Sequence, residues 1–436
     1  MLPTADDYLP GHGDRSFAVH HYDIGAGYTV DGNRLDATAT LTIETLEVTR
    51  RLVLDLAGLK VAKVRLTGAR LKKFSQRSDR LVLDLADGVP AGTEITATIR
   101  YTGHPRPTID KHHGDAGWEE LEDGVIVAAQ PHGSPTWFPC NDRPDDKATY
   151  RIELTAPAGY HVVANGELTS RKRGGSYETW VYEMDRPMAT YLATVQIGRY
   201  VVSEHSSGDP DVAPTRTIAT PDADLAGCFD QQPAMMACFE RLFGPYPFTS
   251  YTAVVTADDL EIPLESQSLA TFGINFCTPD WSHVRLIAHE LAHQWFGNAV
   301  TLARWKDIWL HEGFACYAEW LWSDVSGGPR TTEEWVRHHH ERLAADKQDL
   351  VLADPGPADM FDDRVYKRGA LTLHALRREI GDEAFFDLLP AWVEEHAGRS
   401  VTTEDFLSFA TTRTGVDVAA LLRPWLDDTA LPPCPA

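Results

Sequence analysis

The 436-residue sequence has no basic run, no Cys-x-x-Cys pair and no apolar stretch near the roughly 18 residues that cross a bilayer. Each absence removes a class of function. Asp and Glu outnumber Lys and Arg by 64 to 40, for a formal net charge of −24, which excludes a nucleic-acid partner, because phosphate binding needs clustered cations. The six cysteines (Cys140, Cys228, Cys238, Cys277, Cys316 and Cys434) are scattered, so neither a zinc knuckle nor a redox pair is indicated, and they read as reduced, mostly buried thiols. The start of the chain, Met1 to Asp7, lacks the positive region and apolar core of a secretory leader. The expected address is the cytoplasm, with no membrane partner. Internal repeats and low-complexity tracts are also missing, and a chain of this length is expected to divide into two or three domains.

What is present changes texture near residue 203. Before it, short alternating segments predict β-structure. Leu35, Ala37, Ala39, Leu41 and Ile43 line one face of a strand against Asp36, Thr38, Thr40 and Thr42. The pattern recurs at Ile95, Ala97, Ile99 and Tyr101, with shorter apolar pieces at Leu52-Val53-Leu54 and Leu81-Val82-Leu83. The turn-rich stretch Ser203 to Pro210 marks a boundary, giving a β-sheet domain over 1–202 and a mainly helical domain over 203–436. Helical periodicity then predicts helices at about 221–242, 282–297, 306–323, 332–346, 364–380, 382–396, 403–413 and 416–426.

The strongest chemical signal is His289-Glu290-Leu291-Ala292-His293. Two histidines four apart on a helix point the same way and can grip one zinc ion, with Glu290 between them placed to act on water. The flanks Leu286, Ile287, Trp295 and Phe296 predict a buried helix, which must do something with two imidazoles. Glu312, nineteen residues after His293, sits in a second apolar helix that can return antiparallel and complete a His2Glu site with an open fourth position. Glu319 lies seven residues further, on the same helical face, and is expected to receive the outer N–H of one ligating histidine.

At these residues the sequence resembles the M1 family of metallopeptidases, the gluzincin aminopeptidases that include leukotriene A4 hydrolase. HELAHQWFGNAVT (289–301) followed by WLHEGFACYAE (309–319) is similar to that family's HExxH-x18-E signature. Phe243-Gly244-Pro245-Tyr246-Pro247-Phe248 and Trp137-Phe138-Pro139-Cys140-Asn141-Asp142-Arg143-Pro144 resemble further family segments. The resemblance implies an α+β protein: a saddle-like antiparallel β-domain followed by a thermolysin-like, mainly helical peptidase domain. It also implies one Zn2+ per chain and peptide substrates cleaved at the N-terminal bond. Larger members carry a helical C-terminal domain; this sequence ends before it, so an open or partly roofed site is expected.

The family's exopeptidase motif, usually written GAMEN, corresponds to Ile262-Pro263-Leu264-Glu265-Ser266, where only the glutamate is retained. Glu265 is thereby implied to bind the substrate's α-ammonium. Pro263 has no N–H and Ile262 is bulky, so the side-chain preference is expected to be unusual. Gln130 matches the residue that helps hold the amino-terminal residue, and Tyr366, in Tyr-Lys-Arg-Gly-Ala, matches the phenol that stabilises the oxyanion. Three rival readings are a silent peptide-binding member, a leukotriene-type epoxide hydrolase and a zinc endopeptidase. The first is disfavoured by the intact His289, Glu290, His293, Glu312 and Tyr366, and the third has no use for Glu265. The tract His338-His339-His340 cannot converge on one ion and reads as a solvated face, while His311 stands where the family has asparagine.

Overall fold

The computed structural model describes residues 5–77 and 79–435; Met1 to Thr4, part of the segment inspected for a leader, lie outside them. The chain forms two compact units, one running to Val201 and adding Ser266–Ser268, the other made of Val202–Glu265 and the chain from Leu269 onward.

In the first unit the alternation becomes a seven-stranded sheet in which Phe17–Thr29, Arg34–Thr45, Glu94–Gly103 and Lys60–Thr67 are successive neighbours. Bulky and small residues face each other across it, Leu41 opposite Ala97, Ala39 opposite Ile99 and Ala37 opposite Tyr101, so the buried face fills without voids. The pairing is antiparallel except between Phe17–Thr29 and Ala148–Pro157, strands far apart in sequence that no hairpin joins. Leu52, Val53 and Leu54 pair with Leu83, Val82 and Leu81 in a separate three-stranded sheet. Gly124–Ala128 belongs to a five-stranded sheet and leads to Gln130, which is half-buried.

The second unit is not helical throughout, and this corrects the sequence reading. Thr215–Ala219, Tyr251–Val255 and Leu269–Phe272 pair in parallel, with Leu264–Ser266 at the edge of the same sheet. Strands of four or five residues buried on both faces show no alternation, so periodicity cannot find them.

Eight α-helices follow among the described residues: α1 (Gln232–Phe243), α2 (Trp281–Ala292), α3 (Trp309–Ser326), α4 (Thr332–Ala345), α5 (Asp363–Ile380), α6 (Asp382–His396), α7 (Thr403–Thr414) and α8 (Val418–Leu426). The expected helix from 221 starts only at Gln232, since the preceding residues form turns and a short 3-10 segment, Phe229–Gln231. Helix α3 is buried continuously from Trp309 to Ser323, as befits a helix apolar on all sides. Among the described residues no helix is long and apolar enough to cross a membrane.

Candidate active site

Helix α2 carries the two histidines at its C-terminal end, where His289 closes the last turn and His293 is the C-cap, still at helical φ −56° and ψ −23°. That conformation preserves the i, i+4 alignment of the imidazoles although the helix stops before the expected residue 297. The end is pinned by Trp295, whose Nε1–H donates to Gly244 O at 3.0 Å and whose ring meets Phe239, Phe243 and Tyr246 edge-on. The Phe-Gly-Pro-Tyr segment thus forms the seat on which the α2 terminus rests.

Each imidazole is fixed through Nδ1. His289 bonds Glu319 Oε1 at 2.8 Å, and His293 Nδ1–H donates to the carbonyl oxygen of Phe296 at 3.1 Å. Both Nε2 atoms then face Glu312 Oε2, at 3.3 Å and 3.4 Å. One ligand atom from each of His289, His293 and Glu312 lies within 4.8 Å of the others, and all three side chains are buried. Glu319 is held in turn by Arg285, at 3.1 Å. Glu312 meets the end of α2 while Glu319 meets His289 and Arg285 further back, so the two helices run antiparallel along this stretch.

Glu290 and Glu265 enter the same cluster, since a ligand atom from each falls within 4.8 Å of one on His293. Both carboxylates are only 4% exposed. The Tyr366 ring stacks on His289 with centroids 5.9 Å apart. Burial pushes Glu290 up to about 8, aided by Glu265 and Glu312 and opposed by the two imidazoles. Glu265 is raised for the same reason, by burial first. Burial disfavours a charged His293, yet Glu265 and Glu312 carry it up to about 10. His289 is likewise raised against burial by Glu312 and Glu319. Glu312, although buried, is held well below the carboxylate range by the imidazoles, and Glu319 by Lys367 and Arg285. Burial and the surrounding carboxylates raise the Tyr366 phenol well above its usual value, so it stays a donor.

The common physical cause is a buried excess of carboxylates over cations. Protons collect on whichever base will take them, and a divalent cation relieves the same imbalance while displacing them. Two imidazole nitrogens and one carboxylate, with other groups left for water and substrate, form the donor set of an open zinc site.

Tyr366 is brought in by a contact that has no side chains. Helices α3 and α5 meet at Gly313 and Gly369, where a Cβ on Gly369 would lie 2.7 Å from Gly313 Cα. Gly313 follows Glu312 directly and Gly369 lies one turn after Tyr366, so this crossing sets the spacing between carboxylate and phenol. Gly369→Ala is expected to overpack the crossing and cost about 1–3 kcal/mol. A denaturant midpoint equal to that of the parent protein would show that the helices separate freely.

Comparison with known proteins now decides the family. The model of the peptidase M1 N-terminal domain matches residues 18–192 and that of the peptidase family M1 domain matches residues 228–425. A crystal structure of an M1 zinc metallopeptidase mutant from Deinococcus radiodurans, bound to a Tyr-Ser-Ala substrate, superposes with a TM-score of 0.89 at 30% identity over 99% of both chains. This chain belongs to peptidase family M1. A two-domain M1 zinc metallopeptidase bound to L-arginine matches with a TM-score of 0.90, again at 30% identity over 99% of each chain. Among curated proteins, aminopeptidase M1-A of Oryza sativa subsp. japonica is 26% identical over 97% of this chain and 51% of its own length. Mouse aminopeptidase B is 29% identical over 65% of this chain and 45% of its own. The chain spans about half the length of the curated relatives it matches.

The cofactor of this M1 chain is zinc, and the His289, His293 and Glu312 donor set fits it. Of the remaining residues singled out above, Gln130 lies in the first unit. His311 is engaged elsewhere in the M1 fold, its Nε2 accepting the Leu302 N–H at 2.8 Å. The histidine tract is only partly a solvated face. His339 is buried between Trp320 and Trp335, its ring 5.1 Å and 5.4 Å from theirs, and burial brings it down to about 3. Arg285 and Lys367 are the site-supporting residues not anticipated. Arg285 stands four before His289 on one helical face, a spacing that does signal a neighbour. Lys367 is buried, with Nζ 3.3 Å from Cys316 Sγ, and no spacing in the sequence points to that pairing.

Proposed function

We propose that this M1 chain is a zinc aminopeptidase that hydrolyses the first peptide bond of peptides with a free amino terminus. His289, His293 and Glu312 hold the ion, and Glu319 keeps the His289 imidazole oriented. When bound, zinc acidifies water and polarises the scissile carbonyl. Glu290 accepts the proton of the attacking water and returns it to the departing amine. The Tyr366 hydroxyl donates to the developing oxyanion, adding a fixed dipole where negative charge appears.

The observation that carries the exopeptidase reading is Glu265, a buried carboxylate sharing a cluster with Glu290 and His293. A carboxylate so close to the reacting groups suits a cationic α-ammonium, and the charge-assisted pair measures one residue from the chain end to the bond that is cut. Aminoacyl fluorogenic substrates and their N-acetylated counterparts, assayed with and without a chelator, test the reading. Activity confined to free amino termini and abolished by the chelator supports it; equal cleavage of the blocked substrates sinks it. Glu265→Ala should lose roughly 1.5–3 kcal/mol of transition-state binding, about 10- to 150-fold in kcat/KM, on free-amine substrates alone.

Glu319→Ala should weaken zinc by about 10- to 100-fold, because the His289 Nδ1–H then loses its partner and Arg285 its counter-charge. Competition with a chelating dye measures this, and an unchanged affinity would remove Glu319 from the metal's support.

A further inference from the structure

Two of the six cysteines face each other. The Cys228 and Cys277 thiols are in hydrogen-bonding contact, although 49 positions separate them in sequence. Their surroundings hold the two segments together independently. A Cβ on Gly227 would lie 3.1 Å from Pro279 Cβ, and the Phe229 ring meets Phe272 edge-on at 5.0 Å, which in turn meets Phe276 at 6.2 Å. Cys228 is buried and Cys277 half-buried, so the pair lies just beneath the surface, and neither thiol belongs to the metal cluster. The other buried thiols turn elsewhere, Cys140 toward Asp55, Cys238 toward Arg241 and Cys316 toward Lys367.

We propose that Cys228 and Cys277 are a peroxide-oxidised dithiol that closes to an intrachain disulfide and reopens with a thiol reductant. The chemistry balances with hydrogen peroxide as oxidant. The Cys228 sulfur attacks one peroxide oxygen, an S–O bond forms as O–O breaks, and the hydroxide released takes the Cys228 proton to leave as water. The Cys277 sulfur then attacks the sulfenic sulfur. An S–S bond forms, S–O breaks, and the second hydroxide leaves as water with the Cys277 proton. Two thiols are oxidised by two electrons in all and one peroxide is reduced. The order follows from the contacts: Cys228 accepts from the Cys277 S–H and from the Phe229 N–H, which favours its thiolate, whereas the same contact raises Cys277. The ring so closed contains Glu265 and ends four residues before α2 begins, tying the approach to α1 to the approach to α2.

The test treats the zinc-loaded, full-length protein with stoichiometric hydrogen peroxide and maps its peptides without reduction. A peptide joining Cys228 to Cys277, with both lost from maleimide labelling and both recovered after dithiothreitol, is the expected result. In Cys277→Ser the cross-link should vanish, and Cys228 should be trapped as a sulfenic acid by dimedone. The proposal fails if both thiols remain alkylatable after peroxide, if Cys228 passes to the sulfinic acid without cross-linking, or if the bond joins two chains. The wild-type map alone decides the matter should Cys277→Ser not fold.

Discussion

Glu290→Gln is expected to leave zinc at one ion per chain and KM nearly unchanged while kcat falls by roughly 10²- to 10⁴-fold, the range of a general base. Glutamine keeps the shape of glutamate in a position that is 4% exposed, so the packing of α2 survives. What it removes is the proton acceptor. The residue flanked by His289 and His293 is buried among Glu265 and Glu312, and that setting raises its proton affinity toward the region where a base can both take and return a proton. The sign of the pH effect follows: the working form is the carboxylate, so kcat of the parent protein falls as pH drops through the Glu290 titration. The glutamine variant should show no such acid limb. Metal analysis beside single-turnover kinetics checks both halves, and a variant with near-normal turnover would falsify this role for Glu290.

The parts of the site that could be read from sequence are those set by the period of a helix. His289 and His293 align because they are four apart, and Glu312 and Glu319 because seven residues make two turns. The long-range step, from α2 to α3, was legible only through the fixed interval between His293 and Glu312. Where no period exists the signal fades. The parallel strands of the second unit are too short and too uniformly buried to alternate, so that unit read as helical from its start. Gly313 and Gly369 determine how closely α3 and α5 approach, yet a glycine leaves no mark in a hydropathy pattern and its partner is far away in sequence. His339 looked solvated because its neighbours are polar, whereas its position three before and four after other helical residues turns it inward against two tryptophans. Cys228 and Cys277 lack any motif spacing because what joins them is packing between phenylalanines.

Glu312→Gln is expected to weaken zinc by more than the roughly 100-fold attributed to loss of a supporting partner, and to bring activity to background until zinc is added in excess. An amide oxygen can still point at the ion but carries no charge, and in a buried site the charge is most of what the carboxylate contributes. The two imidazoles would remain aimed, because Glu319 and the Phe296 carbonyl hold their Nδ1 atoms independently of Glu312. The variant therefore separates metal binding from folding: secondary structure and denaturant slope should be preserved while the zinc content after dialysis falls. It also separates two possible metal sites. Glu265, Glu290 and His293 form a second group whose ligand atoms lie within 4.8 Å of one another, sharing His293 with the first. If that group held the ion, Glu312→Gln would retain zinc and Glu290→Gln would lose it. Zinc kept by Glu290→Gln and lost by Glu312→Gln assigns the ion to His289, His293 and Glu312, and leaves Glu290 free to serve as the base.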